Sequence, residues 1–223
     1  ASGFGVPGGA IEPLVSALTR RQQNGRLQLI FARHEAAAAC MADGYYRESG
    51  RLGVCFAATG PSTTNLLTGV AAAYLDATPM LVLTAQTPMS TFGQDALQES
   101  SCTGIDTLSM FKSITHYNTL VSHPQQLQYK LSKALMLAMN EPKGPVHLSI
   151  PVDVMKHPLN AAMPRMTVAP LQAPTIPAAQ LEALYPFLLQ EDTVILIGDR
   201  CRESVGVILE LAYHLGRKVI TTV

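Results

Sequence analysis

With 223 residues, the chain has room for one domain of ordinary size and part of another. Sixteen basic and sixteen acidic residues cancel, and without a Lys/Arg cluster the chain offers no binding face to nucleic acid or to an anionic membrane. Hydrophobic residues make up 48% of the sequence and charged residues 14%, which calls for extensive burial, yet no apolar run is long enough to span a bilayer.

The first ten residues, ASGFGVPGGA, carry no signal or transit pattern and read as a loop with a glycine-proline turn from Gly5 to Ala10; the natural chain is expected to begin upstream. An amphipathic helix follows over residues 11–22. Leu14, Val15 and Leu18 share one face, and Arg20 and Arg21 sit near the C-terminal end, where the helix dipole favours cations. Residues 27–31 form a strand, 35–46 an Ala-rich helix, and Ser49-Gly50 its exit. Strand, turn and helix recur in 53–57, 59–61 and 63–73. Residues 79–85, PMLVLTA, make a third strand, nearly all apolar as in a parallel sheet covered on both faces.

The Ser-, Thr- and Gln-rich stretch 86–104 has no periodicity and predicts a long functional loop or a short helix. Further helices are predicted over 105–112 and from His123-Pro124 onward, the second with Leu127, Leu131, Ala134, Leu135 and Ala138 on its buried side and with Met136 and Met139 as core packing. After a break at 141–145, VHLSIP (146–151) is another strand. Six of the fifteen prolines fall in 151–177, so 156–177 reads as an extended linker. A second α/β pattern then runs through helix 178–189, strand 193–197, the turn Gly198-Asp199-Arg200, helix 203–215 and strand 218–223. Two strands and two helices cannot cover both faces of a sheet, so this second domain is expected to be incomplete. The fold class is α/β: a doubly wound, mostly parallel sheet over 1–155, the linker, and a truncated second α/β domain over 178–223.

Glu35 opens the Ala-rich helix directly after a strand, and the next strand ends in TGPSTTN (59–65). Open α/β sheets hold ligands at such strand ends, which makes Glu35 the leading candidate for a working residue. A first-turn carboxylate is also what the helix dipole favours on its own. Arg33 and His34 fit surface or capping roles, and Gln86 fits a cap at the end of a buried strand. TGPSTTN could attract an anion through free helix N–H groups, but it lacks the GK[ST] ending of a P-loop and the GxGxxG spacing; a plain βα turn is the commoner case. His116, His123, His147 and Asp153 form no paired set, and there is no GxSxG turn. Cys40, Cys55, Cys102 and Cys201 show no CxxC or metal-site spacing and read as mostly buried thiols of a reducing compartment, by default the cytoplasm.

Taken in order, PGGA, RHE, ADGYYRESG, ATGPSTTNL, LDATPMLVLTAQ, GQDALQES and KGPVHLSIPVD resemble the pyrimidine-binding domain of thiamine-diphosphate enzymes of the acetolactate synthase type. The likeness runs nearly without gaps from Gly5 to Asp153, and the stretch from Pro170 to Val223 resembles the start of that family's middle domain. The resemblance implies a thiamine-diphosphate-binding fold in which Glu35 lies against N1′ of the aminopyrimidine. A proton shared there favours the imino tautomer, whose 4′ nitrogen removes the thiazolium C2 proton. A carboxyl group in a dry site has a raised pKa and can hold and return a proton near neutral pH. By the same resemblance Pro61 and Asn65 flank the pyrimidine ring, Gln86 faces the reacting centre, and Gly9 and Ala10 form the tight turn at the site's edge.

The family holds the diphosphate and Mg²⁺ in a C-terminal domain with a GDG motif that these 223 residues lack, so no metal ligand is expected here. An identical subunit would complete the active site, giving at least a dimer, and FAD in the middle domain is left open. The implied activity is decarboxylation of a small 2-oxo acid with transfer of the carbanion to a second carbonyl. A 2-oxo acid decarboxylase without ligation and a non-catalytic, regulatory relative are the alternatives. The fragment alone is expected to bind cofactor weakly and not to turn over. Three departures from the acetolactate synthase pattern bear on substrate choice: Leu97 stands for a phenylalanine, His116 for a lysine and Ser62 for a glycine.

Overall fold

The computed structural model describes residues 2–25, 27–158, 176–198, 201 and 204–222. The chain divides into two compact units, 1–171 and 172–223. The elements of the first are β1 (Ser2–Gly5), α1 (Glu12–Gln23), β2 (Gln28–Phe31), α2 (Glu35–Ser49), β3 (Gly53–Ala57), α3 (Pro61–Thr64), α4 (Leu67–Leu75), β4 (Met80–Gln86), α5 (Thr107–Phe111), β5 (Tyr117–Leu120), α6 (Leu127–Met139), β6 (Pro145–Pro151) and α7 (Val152–Lys156). Short 3-10 turns lie at Gly9–Ile11, Met89–Thr91 and Pro124–Gln126.

The six strands form one sheet in the order β2-β1-β3-β4-β6-β5, and every pairing is parallel. The residues expected to be a loop at the N-terminus instead form β1, hydrogen-bonded between β2 and β3. Two glycines in SGFG hide this strand from any propensity argument. Gly5 is needed because the Phe56 ring lies across it: a Cβ there would stand 2.3 Å from the ring. Consequently the tips of β1 and β3 are neighbours, and those of β2 and β3 are not. The chain leaves β1 to one side for β2 and returns to the other side for β3, so the sheet reverses its strand order here. Such a reversal opens a crevice beyond the strand ends.

Side chains alternate along the central strands, and both faces are covered, as a parallel sheet requires. On one face Cys55, Ala57, Met80 and Val82 pack against Ala38, Ala39 and Ala42 of α2 and Val70 and Ala73 of α4. On the other, Leu81, Val146, Leu148 and Ile150 meet Ala134 and Ala138 of α6, while Phe56 and Ala85 meet Leu14, Val15 and Leu18 of α1. Met136 does not join this core; it is 48% exposed on α6, one position off the buried stripe. The thiols also differ from expectation, since Cys55 is buried but Cys40 and Cys102 are exposed.

The helix expected over 63–73 is broken between α3 and α4. Thr63 and Thr64 direct their hydroxyls to the Ala58 and Pro61 carbonyls, a local competition that keeps Ser and Thr from extending helices. The second unit contains α8 (Ala178–Leu188), β7 (Val194–Ile197), α9 (Val205–Leu215) and β8 (Lys218–Thr221), with β7 and β8 parallel. Leu196, Val207 and Ile220 remain exposed within it. The Pro-rich stretch 159–175, Asp199-Arg200, Glu203 at the predicted helix start and Val223 lie outside the described residues. Among the described residues no helix is long and apolar enough to cross a membrane.

His147 is fully buried on β6, stacked 4.2 Å from the Phe111 ring. Asn118 gives its amide N–H to the Leu108 carbonyl, so its Oδ1 is the acceptor for His147 Nδ1–H at 2.8 Å. Nε2 then accepts from the Thr84 hydroxyl at 2.7 Å, which fixes one neutral tautomer and ties β4, β5 and β6 together. Burial pushes this imidazole down to about 3 from its ordinary 6.5. The unfolded chain therefore binds one more proton than the folded chain between those values, and stability present above pH 6.5 drains away as pH falls toward 3. His147→Gln, which cannot titrate, should flatten the fall in stability between pH 6.5 and 4 by about 1.4 kcal/mol per pH unit at most. Urea unfolding across that range measures it, and equal slopes would remove His147 from the linkage.

Candidate active site

Glu35 is the first residue of α2, placed directly after β2 and entering the helix through His34. His34 is extended, at φ −151°, and its Nδ1 accepts from the Ala36 N–H at 3.2 Å, so the imidazole caps the helix. Glu35 therefore sits where the helix dipole favours a negative charge. It is also only 8% exposed, which a dipole residue alone would not need to be.

Both of its oxygens are held by the turn that follows β3. The Ser62 hydroxyl donates to Oε1 at 2.6 Å, and Asn65 Nδ2 donates to Oε2 at 2.9 Å. Burial pushes the Glu35 carboxyl up, but the hydrogen bonds from Ser62, Asn65 and its own N–H, together with His34, outweigh it and leave the group below the usual glutamate value. Without a ligand the carboxyl thus does not show the raised pKa expected of a dry site, because burial is opposed by two side-chain donors aimed at its charge.

The same turn is latched to the Ser/Thr-rich loop after β4. Gly60 adopts φ +63°, ψ −126°, and its N–H reaches the Ser100 hydroxyl at 2.6 Å. Thr59 donates to the Gln98 carbonyl at 2.8 Å. Gln86, the last residue of β4, is fully buried; its Oε1 accepts from the Thr87 N–H at 3.0 Å and the Ser100 N–H at 2.9 Å. Two backbone donors on one atom settle which end of the amide is oxygen. Its Nε2 is then a buried donor with no partner among the described residues. An amide in that condition at the C-terminal end of a strand is suited to an acceptor atom on a ligand.

Glu35, Pro61, Asn65 and Gln86 are thus brought together on or around one turn. Pro61 is exposed at the first position of α3. Gly9 and Ala10 open the 3-10 turn after β1, and no hydrogen bond joins them to Glu35 or Gln86. Thr59, Gln98 and Ser100 were not identifiable from the sequence as parts of the site; only the polar, aperiodic composition of 86–104 pointed to that loop. Leu97, beside the latch, is 87% exposed. A separate depression lined by Lys112, His116 and Tyr117, among others, shares no residue with this cluster. Among the described residues no group of three His, Cys, Asp or Glu side chains is placed to hold a metal.

Residues 2–110 match the family model described as thiamine pyrophosphate enzyme, N-terminal TPP binding domain. The chain is 36% identical over 208 residues to a "Probable acetolactate synthase large subunit" of Methanocaldococcus jannaschii, covering 87% of this chain and 34% of that protein. It is 43% identical over 151 residues to an acetolactate synthase of Arthrospira platensis, covering 68% of this chain and 25% of the relative. It therefore spans about a third or less of these curated relatives. The fold also matches a crystal structure described as that of a "putative thiamin diphosphate-dependent enzyme" from Mycobacterium smegmatis, with a TM-score of 0.81 at 22% identity, covering 99% of this chain and 41% of that one.

Gly60 and Gly9 separate strain from space. A Cβ on Gly60 would stand 2.8 Å from Gln98 Cβ on a backbone that side chains rarely adopt, whereas one on Gly9 would meet nothing within 4 Å. Gly60→Ala should cost about 1–3 kcal/mol in urea unfolding, and Gly9→Ala should stay within about 0.5 kcal/mol of the parent. Similar costs at the two positions would contradict the latch.

Proposed function

Since residues 2–110 belong to the thiamine pyrophosphate enzymes as an N-terminal TPP binding domain of the acetolactate synthase type, we propose that the whole protein decarboxylates a small 2-oxo acid and transfers the remaining carbon unit to a second carbonyl. The observation that carries the reading is the buried Glu35 carboxylate, fixed through both oxygens at the point where the sheet reverses its strand order.

The residues present fit an aminopyrimidine. Glu35 supplies a carboxyl that can hold a proton at one oxygen and return it, Pro61 an exposed apolar edge, Asn65 an amide that keeps the carboxyl oriented, and Gln86 an unpartnered N–H for an acceptor. Gly9 and Ala10 would line the edge of the ring's site. When bound, thiamine diphosphate supplies the carbon centre that takes up the electrons of the broken carbon–carbon bond. This chain's part is to orient the ring, to move one proton at Glu35 and, through the loop latched over Gln86, to limit the access of water. The hydrogen bonds from Ser62 and Asn65 favour the ionised carboxylate without a ligand, and exclusion of water by a bound ring would raise its proton affinity toward the range that a relay needs.

The diphosphate and Mg²⁺ are assigned to a domain outside these residues, carried by an identical subunit, so that two chains complete each site. These 223 residues alone would then bind the cofactor weakly and not turn over. A reducing, cytoplasmic setting is consistent with four free cysteines. Glu35→Gln in the intact protein should keep the fold while slowing exchange of the bound cofactor's C2 proton by about two to four orders of magnitude. NMR after acid quench reads the exchange, and a rate equal to that of the unchanged protein would overturn the role given to Glu35.

A further inference from the structure

Asn65 and Gln86 occupy positions to which the family resemblance already gives a role, but nothing assigns one to Ser62. Its hydroxyl is not a free rotor. The oxygen accepts from the Ala58 N–H at 3.1 Å, which leaves its single proton to go to Glu35 Oε1 at 2.6 Å. An ionised carboxylate only accepts hydrogen bonds, so this bond is made in full when Glu35 is charged. A proton arriving at Oε1 would meet the hydroxyl's own hydrogen, and one arriving at Oε2 would face the Asn65 amide. At Oε1 the serine must turn away, and its hydrogen then has no acceptor supplied by this arrangement.

We propose that Ser62 is a positioning residue for Glu35: its hydroxyl, oriented by the Ala58 N–H, fixes the carboxylate and weakens its hold on a proton. After burial, which acts in the opposite sense, Ser62 is the largest influence on Glu35, ahead of Asn65, the Glu35 N–H and His34. Competing charges are few. The elements packed against α2, namely β1, β3, β4 and α4, carry no Asp, Glu, Lys, Arg or His within their ranges. Their titratable groups are the Cys55 thiol, pushed up to about 12 by burial, and the Tyr74 phenol. The β3–α3 turn and α3 add no charge, and in the link between β2 and α2 the basic neighbours are Arg33 and His34, of which His34 acts on Glu35 in the same sense as Ser62. The hydroxyl thus sets how easily Glu35 gives up its proton, and on the thiamine-diphosphate reading it tunes the relay at the aminopyrimidine.

The test is an infrared titration of the carboxyl stretch in the intact protein without cofactor, with Glu35 identified as the band lost in Glu35→Gln. Ser62→Ala should move the Glu35 midpoint to higher pH, and Ser62→Thr, which keeps a hydroxyl, should leave it near the parent value. If the alanine variant does not fold, as judged by circular dichroism, Ser62→Gly removes the same hydroxyl and is read in the same way. A folded variant without the hydroxyl that titrates with the parent would overturn the proposal, as would a threonine variant shifted as far as alanine. Because no cofactor is present, the result stands apart from the proposed reaction: a protein that never binds thiamine diphosphate would still show the Ser62 shift.

Discussion

The carboxylate of Glu35, gripped by Ser62 on one oxygen and Asn65 on the other, joins the start of α2 to the turn after β3. Much of the local structure follows from the need to keep these three side chains in register. The His34 cap sets the direction in which α2 begins. Gly60 supplies the backbone bend that turns α3 toward Glu35, on a conformation that a side chain would strain. The break between α3 and α4 keeps Asn65 at the end of a single short turn, with its amide on the carboxylate, instead of carrying it around a continuous helix.

The grip would be of little use on a surface, and the sheet removes it from one. Inserting β1 between β2 and β3 puts the reversal of strand order beside the turn. The Ala-rich face of α2 lets the helix lie close over β3, where Ala38, Ala39 and Ala42 are buried. Gln86 closes the far side by holding the 98–100 segment through one carbonyl oxygen while its amide hydrogens remain unused. A buried donor left without a partner costs stability, so its persistence at the crevice fits a site shaped for something other than the chain itself.

How much of this was legible depended on the kind of signal. The strand at 53–57 was readable because it is short, apolar and bounded by turn residues, and its observed limits are the same. The Ala-rich helix and the buried strand ending at Gln86 were readable for similar reasons. β1 was not, because SGFG owes its place to Phe56 packing across Gly5, a contact that no local window contains. The interruption at Asn65 was missed because helical spacing is blind to hydroxyls that prefer a nearby carbonyl. Glu35 was singled out as a candidate by motif order; the grip of Ser62 on it and the part of Ser100 in the latch came only from geometry. The sign of its pKa shift was misjudged for the same reason, since burial can be guessed from a sequence but the two donors facing the carboxylate cannot.

The central claim is that the chain presents Glu35 to a ring nitrogen, and a crystal structure of the intact protein with thiamine diphosphate and Mg²⁺ tests it most directly. The account predicts a Glu35 carboxyl oxygen within hydrogen-bond distance of N1′ of the aminopyrimidine, with Pro61 against the ring. A pyrimidine seated elsewhere, with Glu35 still held only by Ser62 and Asn65, would contradict it.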